Sequence, residues 1–269
     1  MPDSTRHRTR GLGSEARSSI TFPCLPGQAR PPGARTLSAK REAAITEDRH
    51  PLPGRAAARR CAIAGAILLG IGLLIAAGIA WDLPAANVRD LPVNQAFWDF
   101  GQQHPWVLSA AGGISWIADG LRNILIVGLV SIGLLIARRW EWAIFLLVCS
   151  QGGVLLSNAL KFAIARERPP FVENSNLQQH LSFPSGHTFA GFTVWAAMAL
   201  IAWYLLPRRA AIPVAAILLV IGLLQAPSRL IVGKHWLSDV VGSWFIGSGW
   251  LLLIWGGFIA WLASRPAKA

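Results

Sequence analysis

The chain has 269 residues, of which 53% are hydrophobic and 14% charged, well below the roughly 25% charged residues of soluble domains. This composition excludes an ordinary soluble protein and predicts an integral membrane protein. The net charge is +12, and much of the excess of arginine and lysine over acidic residues lies before Cys61. In so apolar a chain, these basic residues indicate anchoring against anionic lipid rather than nucleic-acid binding. Three scattered cysteines predict neither a disulfide framework nor a metal site.

Residues 1–60 form the first predicted region. They are rich in arginine, proline, glycine and serine and show no sustained hydrophobic periodicity. This composition predicts a disordered basic tail, or an over-extended start of the chain. We expect the membrane domain over residues 61–264 and a short basic tail at residues 265–269.

Six apolar segments follow the tail, and most reach the ~20 residues with which a helix crosses a bilayer. They are residues 62–81, 124–137 (or from about 117), 142–164, 186–206, 210–224 and 237–263. The predicted fold is therefore all-α, a polytopic membrane protein with about six transmembrane helices. The first segment is longer than the apolar part of a signal peptide, so we expect an uncleaved helix. An interfacial helix is expected over residues 97–106.

Basic residues cluster at the ends of these segments. With six spans the clusters all fall on one side of the membrane, and they are Arg55, Arg59 and Arg60, Arg138 and Arg139, Arg208 and Arg209, and Arg265 and Lys268. Positively charged loops face the cytoplasm. The sequence thus predicts cytoplasmic termini in a plasma membrane and an extracytoplasmic region at residues 82–120.

Ionisable residues accumulate at the segment ends on the opposite side. They are Lys161 and Arg168, Ser185 and His187, Arg229, and His235 and Asp239. Ionisable groups near membrane depth are costly and are functional candidates by default. Interfacial anchoring would explain any one of these cations, but it does not explain two histidines, an aspartate and three cations together.

The stretch P-S-G-H at residues 184–187 opens the fourth segment. A helix N-terminus has free N–H groups and binds anions, and Gly186 lets a ligand approach the backbone. Lys161 and Arg168 would lie on one side if their helix continued between them. His235 and Asp239, at i and i+4, predict a nucleophile with an orienting carboxylate, or else a local hydrogen bond without chemistry.

Three stretches together resemble a known family. K-F-A-I-A-R-E-R-P (161–169), P-S-G-H (184–187) and S-R-L-I-V-G-K-H-W-L-S-D (228–239) are similar to K-x6-R-P, P-S-G-H and S-R-x5-H-x3-D. These are the motifs of the type 2 phosphatidic acid phosphatase superfamily, and the chain is identified as a bacterial-type integral membrane lipid phosphatase. The resemblance covers segments three to six well, the first two only generally, and the basic tail not at all.

The resemblance implies a chemistry that needs neither a metal nor another cofactor. It implies that His235 attacks phosphorus to form a phosphohistidine, that Asp239 orients His235, and that His187 protonates the leaving oxygen. The phosphoryl oxygens would be held by Lys161, Arg168, Ser185, Gly186 and Arg229.

The expected substrate is a lipid phosphate or diphosphate: undecaprenyl diphosphate, phosphatidylglycerophosphate or phosphatidic acid. The linker at residues 170–184 is too short for a cap domain, so we expect the site to open at the outer interface and to take a long chain from the side. Membrane lipids are the expected surroundings, nucleic acid is not an expected partner, and the oligomeric state stays open. A lipid-to-lipid phosphotransferase of the same superfamily is an alternative. A non-catalytic transporter or scaffold is disfavoured because no motif position is degenerate.

Overall fold

The computed structural model describes residues 48–171 and 181–265. The predictions for the tail at residues 1–47, for most of the linker between the first two motifs, and for residues 266–269 therefore lie outside the described residues. All structural statements below concern the described ranges.

The described residues form eight helices. They are α1 (Arg55–Trp81), α2 (Leu83–Gln103), α3 (Pro105–Ile117), α4 (Gly120–Ile136), α5 (Trp140–Ile164), α6 (Gly186–Leu205), α7 (Arg208–Ile231) and α8 (Leu237–Ala263). Helix α6 contains a π-helical segment, Gly191–Ala196. Apart from one isolated bridge between Glu167 and Leu181, these residues contain no β-structure, and the all-α prediction is confirmed.

Five of these helices are long and apolar enough to cross a membrane: α1, α5, α6, α7 and α8. Helices α3 and α4 form a sixth span if counted as one broken span, bent by 50°. The break follows from Asp119 and Gly120, because Asp119 takes an extended backbone conformation and glycine weakens a helix interior. The prediction of about six spans is confirmed with this count.

Three predicted boundaries are wrong, each for a physical reason. Helix α1 begins at Arg55, inside the predicted tail, because arginine and alanine are good helix formers. The predicted start lies later because it relies on apolar residues alone. Helix α7 continues to Ile231 instead of ending at 224, because its last polar side chains are buried inside the protein. The expected short interfacial helix is instead α2, a 21-residue helix that ends before His104.

Helix α2 has a clear start signal and a polar buried face. The side chain of Asp82 accepts a hydrogen bond from the backbone N–H of Ala85 at 3.1 Å, as an N-cap residue does. Its buried residues are Ala86, Asp90, Asn94 and Gly101. This face packs on α7 and α8, which brings a carboxylate and an amide into the protein interior.

Close approaches between small residues hold the long helices together. A Cβ atom at Gly249 of α8 would lie 2.5 Å from the backbone nitrogen of Leu69 in α1. A Cβ atom at Gly191 of α6 would lie 2.5 Å from the carbonyl oxygen of Gly222 in α7. Small residues allow membrane helices to approach in this way. These contacts fix the positions of α6, α7 and α8 relative to their neighbours.

Candidate active site

The predicted site residues meet at one end of the helix bundle, where α5 and α7 end and α6 and α8 begin. Five of them line one cavity of about 300 Å³, namely Lys161, Arg168, Gly186, His187 and Arg229. Ser185 directly precedes Gly186 and is fully buried. His235 and Asp239 lie behind the cavity wall, and His235 contacts Arg168. The structure therefore brings together all eight residues that the sequence singles out.

Lys161 and Arg168 reach the cavity by different routes. Helix α5 ends at Ile164, and Ala165 takes the left-handed conformation with φ of 50°. The condition that would put Lys161 and Arg168 on one face of a continuous helix is therefore not met, and Arg168 comes from the following loop. Lys161 Nζ donates to the carbonyl oxygens of Leu181 and Pro184 at 3.1 and 2.8 Å. An ammonium group has three N–H donors, so one remains for a ligand.

Arg168 lies against the imidazole of His235. Its Nη1 donates to the carbonyl oxygen of Lys234 and lies 3.1 Å from Nε2 of His235. Because a guanidinium group only donates, Nε2 is the accepting nitrogen and the ring proton is on Nδ1. Burial, followed by the positive charges of Arg168 and Arg229, lowers the pKa of His235 well below its ordinary value of 6.5. His235 is thus a neutral base whose Nε2 lies against Arg168, a residue of the cavity wall.

Asp239 stands close to His235 without forming a short hydrogen bond to it. Oδ2 of Asp239 lies 3.5 Å from Nδ1 of His235, beyond the usual range for a hydrogen bond. The same Oδ2 accepts from the backbone N–H of Trp236 at 2.9 Å. Nδ1 of His235 has no hydrogen-bond partner among residues 48–171 and 181–265. A small shift of the ring would bring its Nδ1–H within hydrogen-bonding distance of Oδ2 of Asp239.

His187 is oriented by α3. Its Nε2 lies 3.1 Å from the carbonyl oxygen of Ser115. A carbonyl oxygen accepts only, so Nε2 donates, and Nδ1 is the nitrogen that can take up or release a proton at the cavity. The broken span α3–α4 therefore forms one wall of the site, although the sequence motifs do not reach it.

The start of α6 offers open backbone to a ligand. Apart from Gly186 itself, its two chain neighbours and the backbone of its own helix, no heavy atom of the described residues lies within 4 Å of the position that a Cβ atom at Gly186 would take. Ser185 occupies the N-cap position, but its side chain makes no capping hydrogen bond. Instead, its Oγ accepts from Oγ1 of Thr188 at 3.1 Å. The first N–H groups of α6 and its positive dipole end remain available to an anion.

Arg229 is a buried cation in the last turn of α7. It is 5% exposed, and within the described part of the chain its Nε has no hydrogen-bond partner. A buried guanidinium with an unpaired N–H is costly unless an anion completes its environment. Arg229 lines the cavity, so an anion bound there would complete its environment.

Arg166 is the residue that sequence reasoning missed. It is completely buried and donates to Asp239 Oδ1 at 2.8 Å and to Asp90 Oδ2 at 2.9 Å. It also donates to Oδ1 of Asn87 at 2.9 Å and to Oγ of Ser238 at 2.7 Å. Arg166 lies inside the first motif, and Asp90 and Asn94 are spaced four apart on α2. Both positions can be read from the sequence, but the contact between Arg166 and Asp90 cannot.

Helix α2 also holds the backbone from His235 into the first turn of α8. Nδ2 of Asn94 donates to the carbonyl oxygen of His235 at 2.7 Å, and Oδ1 of Asn94 accepts from the N–H of Leu237 at 3.0 Å. Oδ2 of Asp90 accepts from the N–H of Ser238 at 3.2 Å. The first turn of α8 is therefore fixed by side chains from outside the three motifs.

Comparison with known proteins gives concordant results. Residues 140–261 match the PAP2 superfamily. Phosphatidylglycerophosphatase B of Bacillus subtilis (strain 168) is 28% identical over 151 residues, which are 54% of this chain and 72% of the relative. The crystal structure of a transmembrane PAP2 type phosphatidylglycerolphosphate phosphatase from Bacillus subtilis has a TM-score of 0.60 and 25% sequence identity. That match covers 71% of this chain and 93% of the other.

Proposed function

The chain belongs to the PAP2 superfamily and is a membrane phosphatase, and on that premise we propose that it hydrolyses phosphatidylglycerophosphate through a phosphohistidine on His235. Both related proteins carry the name of this activity, which favours it over phosphatidic acid and undecaprenyl diphosphate. The observation that carries the mechanism is the contact of 3.1 Å between Nη1 of Arg168 and Nε2 of His235. This contact supports the proposal, because the lone pair of the proposed nucleophile lies beside a cation that would move to a phosphoryl oxygen when the substrate binds.

In the proposed first step, Nε2 of His235 attacks phosphorus and the bond from phosphorus to the lipid oxygen breaks. His187 gives a proton from Nδ1 to the leaving oxygen while its Nε2–H stays on the carbonyl oxygen of Ser115. Asp239 accepts the Nδ1–H of His235 as that ring becomes positively charged. The phosphoryl oxygens are stabilised by Lys161, Arg168 and Arg229 and by the start of α6 at Ser185 and Gly186.

In the proposed second step, a water molecule attacks the phosphohistidine. Nδ1 of His187, now unprotonated, takes a proton from the water, the new oxygen–phosphorus bond forms and the phosphorus–nitrogen bond breaks. Inorganic phosphate leaves and His235 returns to its neutral form. Three cations and a helix N-terminus supply the positive field, so the proposed reaction requires no metal ion.

Release of inorganic phosphate by the purified protein tests the function. Phosphatidylglycerophosphate, phosphatidic acid and undecaprenyl diphosphate are presented in mixed micelles with EDTA, and His235→Ala serves as the inactive control. We expect the highest kcat/KM with phosphatidylglycerophosphate. A higher kcat/KM with another lipid would overturn the substrate assignment. Activity lost in EDTA and restored by Mg²⁺ would overturn the metal-free mechanism, and label transferred to a second lipid would identify a phosphotransferase.

We further propose that the site faces the extracytoplasmic side of the plasma membrane. The clusters at Arg59 and Arg60, at Arg138 and Arg139 and at Arg208 and Arg209 support this orientation, since they lie at the opposite ends of the spans from the site. A reporter fused after residue 207 should then give a cytoplasmic signal, and one inserted near residue 176 an external signal. The reverse pattern would refute the orientation.

A further inference from the structure

The cavity extends beyond the groups that we assign to the phosphate. Past Lys161, His187 and Arg229 its wall combines apolar residues with neutral polar residues outside the three motifs, which are Asn123 on α4, Ser150, Gln151, Ser157 and Asn158 on α5, and Thr193 on α6. Polar side chains in membrane helices commonly hydrogen-bond neighbouring helices. A polar residue that lines the cavity and has a buried, unsatisfied atom would instead be suited to a ligand.

Asn123 is that residue. It is 8% exposed and lies in the first turn of α4, directly after the break between α3 and α4. Its Nδ2 donates to the carbonyl oxygen of Ala118 at 2.8 Å. This contact fixes the amide orientation, because a flipped amide would oppose two acceptors. Its Oδ1 is buried and has no hydrogen-bond partner in the described ranges.

An unsatisfied acceptor selects its ligand by chemistry. Oδ1 of an amide requires a donor, and neither an ionised phosphate nor an ester oxygen can donate. A hydroxyl group can. Of the three lipid classes expected from the sequence, phosphatidylglycerophosphate alone has a free hydroxyl beside its terminal phosphate, on the glycerol between its two phosphates.

We propose that Oδ1 of Asn123 accepts a hydrogen bond from a headgroup hydroxyl and thereby selects lipid phosphates that carry a hydroxyl beside the phosphate. This inference rests on the proposed phosphatase function and names the group that determines its specificity. A site built to pair with a hydroxyl discriminates against the analogue that lacks it, because the buried acceptor is then left unpaired.

The test combines one substitution with one change in the substrate. Initial rates are measured for wild type and Asn123→Ala with phosphatidylglycerophosphate and with its deoxy analogue, in which propane-1,3-diol replaces the bridging glycerol. The two lipids have the same charge and acyl chains. We expect wild type to prefer the natural lipid by about 10-fold in kcat/KM, the size of one hydrogen bond, and Asn123→Ala to show no preference. The coupling free energy between the substitution and the loss of the hydroxyl, obtained from the four values of kcat/KM, isolates the hydroxyl contact.

Ser131→Ala is the matched control. Ser131 is also a buried α4 residue, 5% exposed, whose oxygen has no hydrogen-bond partner among residues 48–171 and 181–265, but it is absent from the cavity wall. It should keep the wild-type preference. Equal rates of wild type on the two lipids would overturn the proposal without any variant. Equal losses on both lipids in Asn123→Ala would also overturn it, since they indicate a structural role. Wild type that releases phosphate from neither lipid would overturn the proposed function as well.

Discussion

Two groups of buried charges lie side by side at the active end of the bundle, and they differ in how their charges are matched. In the anchoring network, Arg166 donates to two carboxylates, those of Asp90 and Asp239, as well as to Asn87 and Ser238. The second group lines the cavity at Lys161, Arg168 and Arg229, which we call the phosphate cavity because we propose that it binds the substrate phosphate. There Arg229 is nearly as deeply buried, but within residues 48–171 and 181–265 no ion pair joins it to a carboxylate.

The difference separates two uses of the same side chain. A buried arginine whose charge is neutralised by fixed carboxylates stabilises the fold and positions what its partners touch. A buried arginine without a carboxylate is destabilising until an anion arrives. The first kind holds the start of α8 in place, and we propose that the second kind binds the substrate phosphate.

Replacing Arg166 tests the anchoring network and should give the largest effect. Arg166→Met keeps most of the side-chain volume but leaves Asp90 and Asp239 as uncompensated buried charges, which we expect to destabilise the protein by about 3–5 kcal/mol. Thermal unfolding in detergent measures this change. The double variant Arg166→Met/Asp90→Leu should recover part of the loss. An unchanged Tm in Arg166→Met would contradict the structural role of the network.

The same substitution at Arg229 should act on catalysis and leave the fold intact. Arg229→Met removes an unpaired buried cation, so we expect an equal or higher Tm together with a decrease in kcat of about 10²–10³-fold. Orthovanadate, a phosphate mimic, should raise the Tm of wild type and not that of Arg229→Met. A lower Tm with normal kcat would show that Arg229 belongs with the anchoring residues instead.

His235 lies where the two regions meet, and its titration gives a smaller effect. Its folded pKa is depressed, whereas the unfolded chain binds a proton on this histidine below about pH 6.5. The stability that the neutral form contributes is therefore complete above pH 6.5 and is lost as the pH falls below it, by at most about 1.4 kcal/mol per pH unit. Thermal unfolding between pH 7 and pH 5 should show a weaker decline in His235→Asn than in wild type. Parallel declines would contradict the depressed pKa.

The phosphate cavity could be predicted from the sequence far better than the anchoring network. Each motif lies at or beside a helix end, so the spacing of apolar segments is enough to bring Lys161, His187 and Arg229 to one side of a membrane. The contact between Arg166 and Asp90 joins residues 76 positions apart. It depends on how α2 packs, which no local pattern encodes.

Hydropathy also fails where buried residues are polar. Helix α2 presents Asp90 and Asn94 to the interior, and the last turns of α7 bury Gln225, Ser228 and Arg229. Apolar segments identify buried helices only where the buried side chains are apolar. The predicted end of α7 therefore comes too early, and most of α2 is not predicted at all. The orientation of His187 was missed for a related reason, because its partner is a backbone carbonyl of α3, and backbone groups leave no trace in a sequence.

Trapping the intermediate in His187→Ala tests whether the phosphoryl group is transferred to His235 with His187 as the proton donor, as we propose. A nitrophenyl phosphate has a weakly basic leaving group and hardly needs the proton, whereas water attack in the second step needs a base. The variant should therefore release a burst of nitrophenolate and accumulate a phosphoenzyme that is acid-labile, alkali-stable and located on His235. With the lipid substrate its first step should be slower than wild type by about 10²–10⁴-fold. Label on Ser185, or equal first-step losses with both substrates, would contradict these roles.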